Sequence, residues 1–143
     1  MAGKSFGKVL LPVDGSEHSK RAMDWAAALS AEGKGSIILL YVRPKISELL
    51  GEPFYQRALD QQLDEAKHIL DPFEELLKES QAVFETIILE GDPAKAIVKC
   101  AEVERCDLVV MGGRGLGDLA GLVLGSVTHK VLHSSKVPVL IVP

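Results

Sequence analysis

Residues 106–126, CDLVVMGGRGLGDLAGLVLGS, join a short apolar run to a loop that contains six glycines. The apolar run is typical of a β-strand covered on both faces, and Ser126 is suited to begin a helix as its N-cap. Glycines between a strand and a helix let backbone N–H groups approach a ligand without a Cβ in the way. The stretch therefore predicts an α/β fold with a ligand-binding loop after one of its parallel strands.

Apolar runs of similar length occur four more times in the chain. The five predicted strands are residues 8–13, 36–42, 83–89, 107–111 and 137–142. Four helical patterns separate them, at about residues 16–29, 59–77, 93–104 and 126–134, and Asp92 is the predicted N-cap of the third. Pro72 is expected to kink or divide the second helix. Residues 43–58 form the one long connection, a candidate lid or partner surface.

This alternation of strands and helices determines the fold class. It predicts a doubly wound, five-stranded parallel sheet with helices on both faces and right-handed crossovers. At 143 residues and 47% hydrophobic content, the chain is expected to fold as a single domain over residues 1–143.

Composition restricts the possible partners and the compartment. The net charge of -4 and the aromatic content of 5% disfavour nucleic-acid binding, because no cluster of lysine and arginine is available for a phosphate backbone. No stretch reaches the roughly 18 apolar residues of a membrane span, so no membrane partner is expected. Cys100 and Cys106 are too few for a disulfide framework or a zinc site. We expect both thiols to be buried and the protein to be cytoplasmic.

Three segments are expected to meet at the carboxyl ends of the strands, where doubly wound sheets bind ligands. They are PVDGS at residues 12–16, YVRP at residues 41–44 and the glycine loop. The loop favours an anion, because no acidic residue follows Asp118 whereas Arg114, Lys130 and Lys136 lie in the loop or after it. A purely structural loop, with Ser126 acting only as a cap, would need one or two glycines rather than six.

Other site types fit the sequence less well. The P-loop pattern G-x-x-x-x-G-K-[ST] is absent, and GLGDLA at residues 115–120 matches the dinucleotide pattern G-x-G-x-x-A only weakly and after the wrong strand. His129 and His133 have the spacing of a metal pair but lack the glutamate of H-E-x-x-H and a third ligand, so no metal site is expected. No G-x-S-x-G elbow is present.

The spacing of the loop glycines resembles a known family motif. Gly112, Gly115, Gly125 and Ser126 reproduce the G-x2-G-x9-G-[ST] pattern of the ATP-binding branch of the universal stress proteins. Flanking segments are similar in the same order: VLLPVDGSEHSKRAMDWAAAL, ILLYV, EGDPAKAIVKCAE and SSKVPVLIV. The resemblance implies a Rossmann-like fold of the adenine nucleotide alpha hydrolase type.

The resemblance also implies a set of nucleotide-binding residues. Asp14, with the backbone of Pro12 and Val13, is similar to the ribose and adenine contact, although Asp14 could instead cap the first helix. Val42 is similar to the apolar residue against adenine. Met111, Gly112 and Gly115 resemble the positions around ribose and phosphates, and Gly125, Ser126 and Val127 those that donate to the β- and γ-phosphates. Gly113 and Arg114 occupy the variable pair, and Arg114 either reaches a phosphate or is solvated.

The implied function is that of a stress protein in which ATP is a regulatory or structural ligand. The alternative is a slow ATPase or an autophosphorylating signalling protein, and AMP or a cyclic nucleotide would fit the same adenine and ribose contacts. Mg²⁺ is expected mainly as the counterion of ATP, and no catalytic residue is assigned. The resemblance further implies a homodimer through the terminal strand, Val137 to Val142, which pairs antiparallel with its copy.

Overall fold

The computed structural model describes residues 5–115 and 123–143. Its five strands are β1 (Lys8–Pro12), β2 (Ser36–Arg43), β3 (Phe84–Glu90), β4 (Leu108–Gly112) and β5 (Val139–Val142), and its four helices are α1 (Glu17–Glu32), α2 (Phe54–Glu79), α3 (Pro93–Val103) and α4 (Ser126–Ser134). The strands form one parallel sheet in the order β3-β2-β1-β4-β5. The predicted doubly wound fold is confirmed.

Each face of the sheet has its own apolar core, because successive strand side chains point to opposite faces. On one face Val9, Leu11 and Leu39 pack against α1 and α2. On the other face, Leu10 and Val109 pack in a second cluster with residues of α3 and α4. Burial of the central strands on both faces explains why their sequences are almost continuously apolar.

The connection after β2 differs from the prediction. Residues 43–58 do not form one long loop, because α2 begins at Phe54 and a short 3₁₀ helix spans Glu48–Leu50. Pro72 does not divide α2, which continues to Glu79. None of the helices within residues 5–115 and 123–143 is long and apolar enough to span a bilayer.

Two of the strands lie at the edges of the sheet, β3 at one side and β5 at the other. The terminal strand is shorter than predicted and begins at Val139 rather than Val137. At the sheet centre β1 and β4 are neighbours although they are distant in sequence. The strand order therefore reverses between them, and the crevice at their carboxyl ends is the expected ligand site of such a fold.

Candidate functional site

A cavity of about 490 Å³ opens at the carboxyl edge of the sheet, beside the crevice between β1 and β4. This volume lies within the roughly 300–1,000 Å³ of small-molecule sites. The three segments expected to converge there do so. Of the predicted site residues, those that line the cavity are Pro12, Val13, Asp14, Val42, Met111, Gly112, Arg114, Gly115 and Val127.

The backbone of Val42 extends beyond the end of the neighbouring strand. The pairing of β1 with β2 ends at Pro12 and Leu40, and the Val13 N–H donates to the Leu40 carbonyl at 2.9 Å. The Val13 N–H is therefore engaged within the sheet, whereas Val42, two residues after Leu40, has no partner residue in β1. The N–H and C=O groups of successive strand residues point to opposite sides of the strand. Those of Val42 therefore point to the same side as those of Leu40, and there they face the cavity because β1 has ended.

Asp14 lies in a tight turn between β1 and α1. Its Oδ1 accepts a hydrogen bond from the Ser16 N–H at 2.9 Å, and Gly15 between them has a φ of +85°, which favours glycine. Asp14 is not the cap of α1. That cap is Ser16, whose Oγ accepts from the Ser19 N–H at 3.2 Å. The turn holds the half-buried Asp14 carboxylate at the cavity wall.

Tyr41 lines the cavity beside Asp14 and is a site residue that the motif did not identify. Burial raises the pKa of its phenol, and the nearby carboxylates of Glu65 and Asp14 raise it further. Tyr41 therefore keeps its proton at neutral pH and is a hydrogen-bond donor. It belongs to the segment YVRP, whose convergence on the site was the only sequence signal for it.

The two ends of the glycine loop are held together by hydrogen bonds. The Gly125 N–H donates to the Gly113 carbonyl at 2.7 Å, and the Thr128 hydroxyl donates to the Gly112 carbonyl at 2.9 Å. Both motif ends are thereby fixed to the end of β4. The middle of the loop, residues 116–122, lies outside the described residues and includes two of the six glycines.

Gly112 has a packing role in addition to its place in the cavity wall. A Cβ at Gly112 would lie 2.5 Å from His18 Cβ and 2.7 Å from the His18 carbonyl carbon. The first glycine of the motif therefore allows β4 to approach the first turn of α1. Gly113 is different, since a Cβ there would meet Ile141 Cγ2 at 3.5 Å, an ordinary contact.

The start of α4 supplies hydrogen-bond donors. Its N-cap is Gly125 and not Ser126 as predicted, and Ser126 is the first helical residue. Glycine has no side-chain acceptor, so this helix lacks the side-chain cap present on α1. The N–H groups of Val127 and Thr128 donate to no acceptor within the described residues. Unpaired donors at a helix N-terminus, together with the helix dipole, are suited to bind an anion.

Three predicted residues, Gly113, Gly125 and Ser126, are not among the described lining of the cavity. Gly113 instead continues the sheet, since its N–H donates to the Val142 carbonyl at 2.8 Å. Arg114 lines the cavity as a half-buried cation and forms no ion pair with a described residue. The remaining lining residues were not assigned a ligand contact from the sequence, although Ser16, Tyr41 and Pro44 lie in the segments expected to converge here. They are Ser16, Ser19, Leu40, Tyr41, Pro44, Ile69, Pro93, Ile97 and Thr128.

Comparison with known proteins identifies the family. Residues 5–143 match the model of the universal stress protein family. This chain belongs to the universal stress protein family. A universal stress protein of Thermus aquaticus is 36% identical over 142 residues, which cover 96% of this chain and 98% of the relative.

Solved universal stress proteins share the fold. The structure of protein MJ0577, whose sequence is that of a universal stress protein of Methanocaldococcus jannaschii, superposes with a TM-score of 0.87 at 32% identity over 97% of this chain and 96% of that one. A universal stress protein crystallised in complex with cAMP has a TM-score of 0.71 at 30% identity over 98% of both chains.

The cavity of this universal stress protein has both apolar and charged walls. It combines an apolar wall, which includes Val42, Pro93 and Ile97, with one half-buried carboxylate among its described lining, Asp14. Arg114 and the start of α4 also line it and add positive potential. No group of three histidine, cysteine, aspartate or glutamate side chains in the described ranges is arranged to hold a metal ion.

Proposed function

We propose that this universal stress protein binds ATP in the cavity at the carboxyl edge of the sheet, as a regulatory or structural ligand. The observation that carries the proposal is the placement of the Val127 and Thr128 N–H groups, which have no acceptor among the described residues, in the same cavity as Asp14 and the backbone of Val42. The cavity thus offers an anion site, a carboxylate and an open strand end along one ligand-sized volume.

The base would bind at Val42. An open peptide group offers one donor and one acceptor, the pattern that the Watson–Crick edge of adenine complements with its N1 acceptor and N6 donor. Pro93 and Ile97 supply an apolar surface for the ring on this side of the sheet. A relative that is 30% identical to this chain was solved with cAMP, which supports an adenine nucleotide as the ligand class.

The ribose and phosphates would bind between Asp14 and α4. A carboxylate accepts hydrogen bonds from both ribose hydroxyls, and Asp14 is held in place by the Ser16 N–H. The phosphates would accept from Val127 and Thr128, with Arg114, Gly115 and the Ser126 hydroxyl as further contacts. AMP or a cyclic nucleotide would use the same base and ribose contacts, and Mg²⁺ would accompany ATP as its counterion.

Turnover of ATP, as a slow ATPase or an autophosphorylating protein, is the alternative, and we expect it to be slow. Among the described lining residues Asp14 is the single carboxylate, and histidine is absent from that lining. No residue in this described set is placed to orient a water at the γ-phosphate once Asp14 holds ribose. We therefore expect hydrolysis well under about 1 s⁻¹, the low end of typical enzymes.

Titration calorimetry with ATP, AMP, cAMP and adenosine tests this proposal. Ser126→Ala is expected to weaken ATP binding by about 1 to 3 kcal/mol, since a hydrogen bond to a charged phosphate is lost. It should leave the affinity for adenosine unchanged. Asp14→Ala should weaken ATP, AMP and adenosine alike and cAMP less, because cAMP has only its 2′ hydroxyl free, and Gly115→Val should weaken the ligands with phosphates. Ser134→Ala, at the opposite end of the same helix, is the matched control.

Equal affinity of wild type, Ser126→Ala and Gly115→Val for ATP would refute the assignment of the loop. Mass spectrometry of the nucleotide that co-purifies with the protein identifies the ligand independently. Phosphate release faster than the bound given above, abolished by Asp14→Ala, would favour the enzymatic alternative.

We further propose a cytoplasmic homodimer of a single domain, residues 1–143, formed through the terminal strand. β5 is an edge strand. The Pro138 carbonyl, just before β5, and the Val142 carbonyl at its end accept hydrogen bonds from the N–H groups of Val109 and Gly113. The backbone groups of Val139 and Ile141 therefore face away from β4 and are open to a second copy. A two-fold axis at this edge would join two sheets of five strands. The two free, buried thiols are consistent with a reducing compartment.

A further inference from the structure

The opposite edge of the sheet, β3, also carries an open row of backbone groups. The Ile37 N–H donates to the Val83 carbonyl and the Gly91 N–H donates to the Arg43 carbonyl, both at 2.9 Å. Odd-numbered residues from 83 to 91 therefore face β2. The N–H and C=O groups of the even-numbered residues, Phe84, Thr86, Ile88 and Glu90, face outward and have no hydrogen-bond partner among the described residues.

β3 has only part of the usual protection of an edge strand. It is seven residues long and contains two glutamates but no proline or lysine, the residues that block strand addition most strongly. Ile88 is 39% exposed and Val83, just before the strand, is 68% exposed. An edge without proline or lysine and with exposed apolar side chains is a template for a further strand.

A groove runs beside this edge on the face that carries α3. Its volume is about 320 Å³, and its wall contains Ile87 and Leu89 from β3 and Cys100 and Val103 from α3. Val103 is 65% exposed. Side chains of an added strand that point to this face would enter the groove, because alternate residues of neighbouring strands share a face.

Carboxylates lie on both faces of this edge. Glu90 and Glu104 line the groove together with Lys99, and each has a cationic partner: Glu90 pairs with Arg43 at 3.0 Å and Glu104 with Lys8 at 4.0 Å. Glu85 lies near Cys100. Burial is the main reason why the pKa of the Cys100 thiol is raised, and the carboxylates of Glu104 and Glu85 raise it further. On the other face Glu74 accepts a hydrogen bond from the Thr86 hydroxyl at 2.9 Å.

From these observations we infer that β3 is a docking edge for an extended, basic segment of a partner protein, which adds as a sixth strand. The partner's backbone pairs with the open groups of Thr86 and Ile88. Its apolar side chains fill the groove over Ile87 and Leu89. Its lysines or arginines alternate with them and therefore lie on the opposite face, beside Glu74.

A second copy of this chain fits the edge less well. Two copies would bring Glu74 and Glu85 of each, which form no ion pair with a described residue, close to the same carboxylates of the other, and this costs free energy. If β5 forms the proposed dimer, a second two-fold contact at β3 would also link these dimers one after another into an open filament. A partner of opposite charge meets neither obstacle.

A synthetic peptide of about nine residues that alternates valine and lysine is the probe. Fluorescence anisotropy is measured with the full chain, with and without ATP, so that the result does not depend on the proposed nucleotide site. We expect the peptide to bind in both conditions. A peptide with glutamate in place of lysine, and one with N-methylated alternate amides, should both fail to bind.

Two variants and one direct readout locate the site. Ile88→Pro removes an outward N–H without removing a bond to β2 and should weaken binding about tenfold. Glu74→Lys should weaken it and reduce its salt dependence, whereas Glu32→Lys, at the end of α1, is the charge-matched control. In the wild type, bound peptide should slow hydrogen exchange of the Thr86 and Ile88 amides, a readout that does not require the variants to fold.

Equal binding of the N-methylated or the glutamate peptide would overturn the proposal. So would exchange protection at β5 instead of β3, or conversion of a dimer to a monomer by Ile88→Pro, which would assign this edge to a second copy.

Discussion

Gly112 shows how one glycine in a binding motif can be required for packing. Its missing Cβ makes room for His18 on α1, and a methyl group at this position would overlap backbone and Cβ atoms at 2.5 to 2.7 Å. We predict that Gly112→Ala lowers the free energy of unfolding by about 1–3 kcal/mol, the usual effect of overpacking. Chemical denaturation in urea, followed by circular dichroism, measures this change.

Gly113→Ala is the matched control, because its added methyl group meets only Ile141, Val142 and Pro143 at 3.5 Å or more. We expect its stability to lie within about 0.5 kcal/mol of the wild type. Similar stabilities of the two variants would show that α1 moves aside readily, and would contradict a packing requirement at Gly112.

Cys106 makes stability depend on pH in the alkaline range. Burial raises the pKa of its thiol from 9.0 to about 12, and Cys100 adds to this effect. Between these values the unfolded chain has lost the thiol proton and the folded chain has kept it. The contribution of the protonated Cys106 thiol to the free energy of unfolding is therefore fully present below pH 9 and is lost as the pH rises toward 12.

We expect the free energy of unfolding to fall by up to about 1.4 kcal/mol per pH unit above pH 9 through this group. Cys106→Ala should have a shallower slope, and the difference between the two slopes isolates the thiol from other titrating groups. Identical slopes for wild type and variant between about pH 8 and 10.5 would show that the thiolate is not penalised in the folded state.

Sequence alone predicted many of the residues that line the cavity but not every reason for their placement. Asp14 follows β1, and Val42 and Gly112 lie at the carboxyl ends of β2 and β4, so their convergence could be predicted from strand order and the rule on carboxyl ends. Tyr41 and Ile69 could not be singled out, since an apolar or aromatic residue on a strand or helix is more often a core residue. The position of Ser126 inside α4 depends on backbone angles at Gly125, which composition does not determine.

At the scale of elements, the two prolines at helical positions have different consequences. Pro72 lies inside α2, where it cannot donate to the carbonyl four residues before it, and its side chain is exposed. Pro93 lies at the first position of α3, where the missing N–H has no intrahelical acceptor. We predict that Pro72→Ala stabilises the protein by up to about 3 kcal/mol.

Pro93→Ala is expected to leave thermal stability almost unchanged or to lower it slightly, and serves as the control for Pro72→Ala. Differential scanning calorimetry of both variants decides the question. A loss of stability in Pro72→Ala would mean that the proline ring makes packing contacts worth more than the missing hydrogen bond.

Element boundaries were less predictable than element types. Residues 54–58 carry no regular apolar stripe, and the N-cap of α2 is Pro53 without a side-chain hydrogen bond, so the sequence gives no signal for the true start of that helix. Pro138 precedes β5 and has no N–H to donate, which explains why the regular strand begins one residue later. Tertiary packing rather than local pattern determines both boundaries.

At the scale of the molecule, the two edges of the sheet are expected to have different partners. Ile141→Pro removes an outward N–H from β5 without removing a bond to β4, so it should convert the proposed dimer to a monomer. Light scattering at micromolar concentration measures the mass. Ile88→Pro, the equivalent change at β3, is the control and should remain dimeric.

A wild type that is monomeric at this concentration would contradict the proposed dimer. A dimer that survives Ile141→Pro would place the interface elsewhere on the molecule.

The fold and the general location of the site were predictable because both follow from the order of strands and helices. The outward-facing backbone groups of β3 could not be predicted, because they depend on which strand lies at the edge of the sheet and on its register with β2. The threonine and two glutamates of β3, compared with the nearly continuous apolar runs of β2 and β4, are the one local sign of this edge.

Binding of ATP at the start of α4 is the central claim, and an amide NMR titration of the wild type with ATP tests it most directly. We predict saturable shifts of the Val127 and Thr128 amide protons, which would gain a phosphate acceptor, together with shifts at Val42 and Gly115. The Thr86 and Ile88 amides at the far edge of the sheet should not move. Saturable shifts confined to other surfaces, or no shifts at millimolar ATP, would contradict the account.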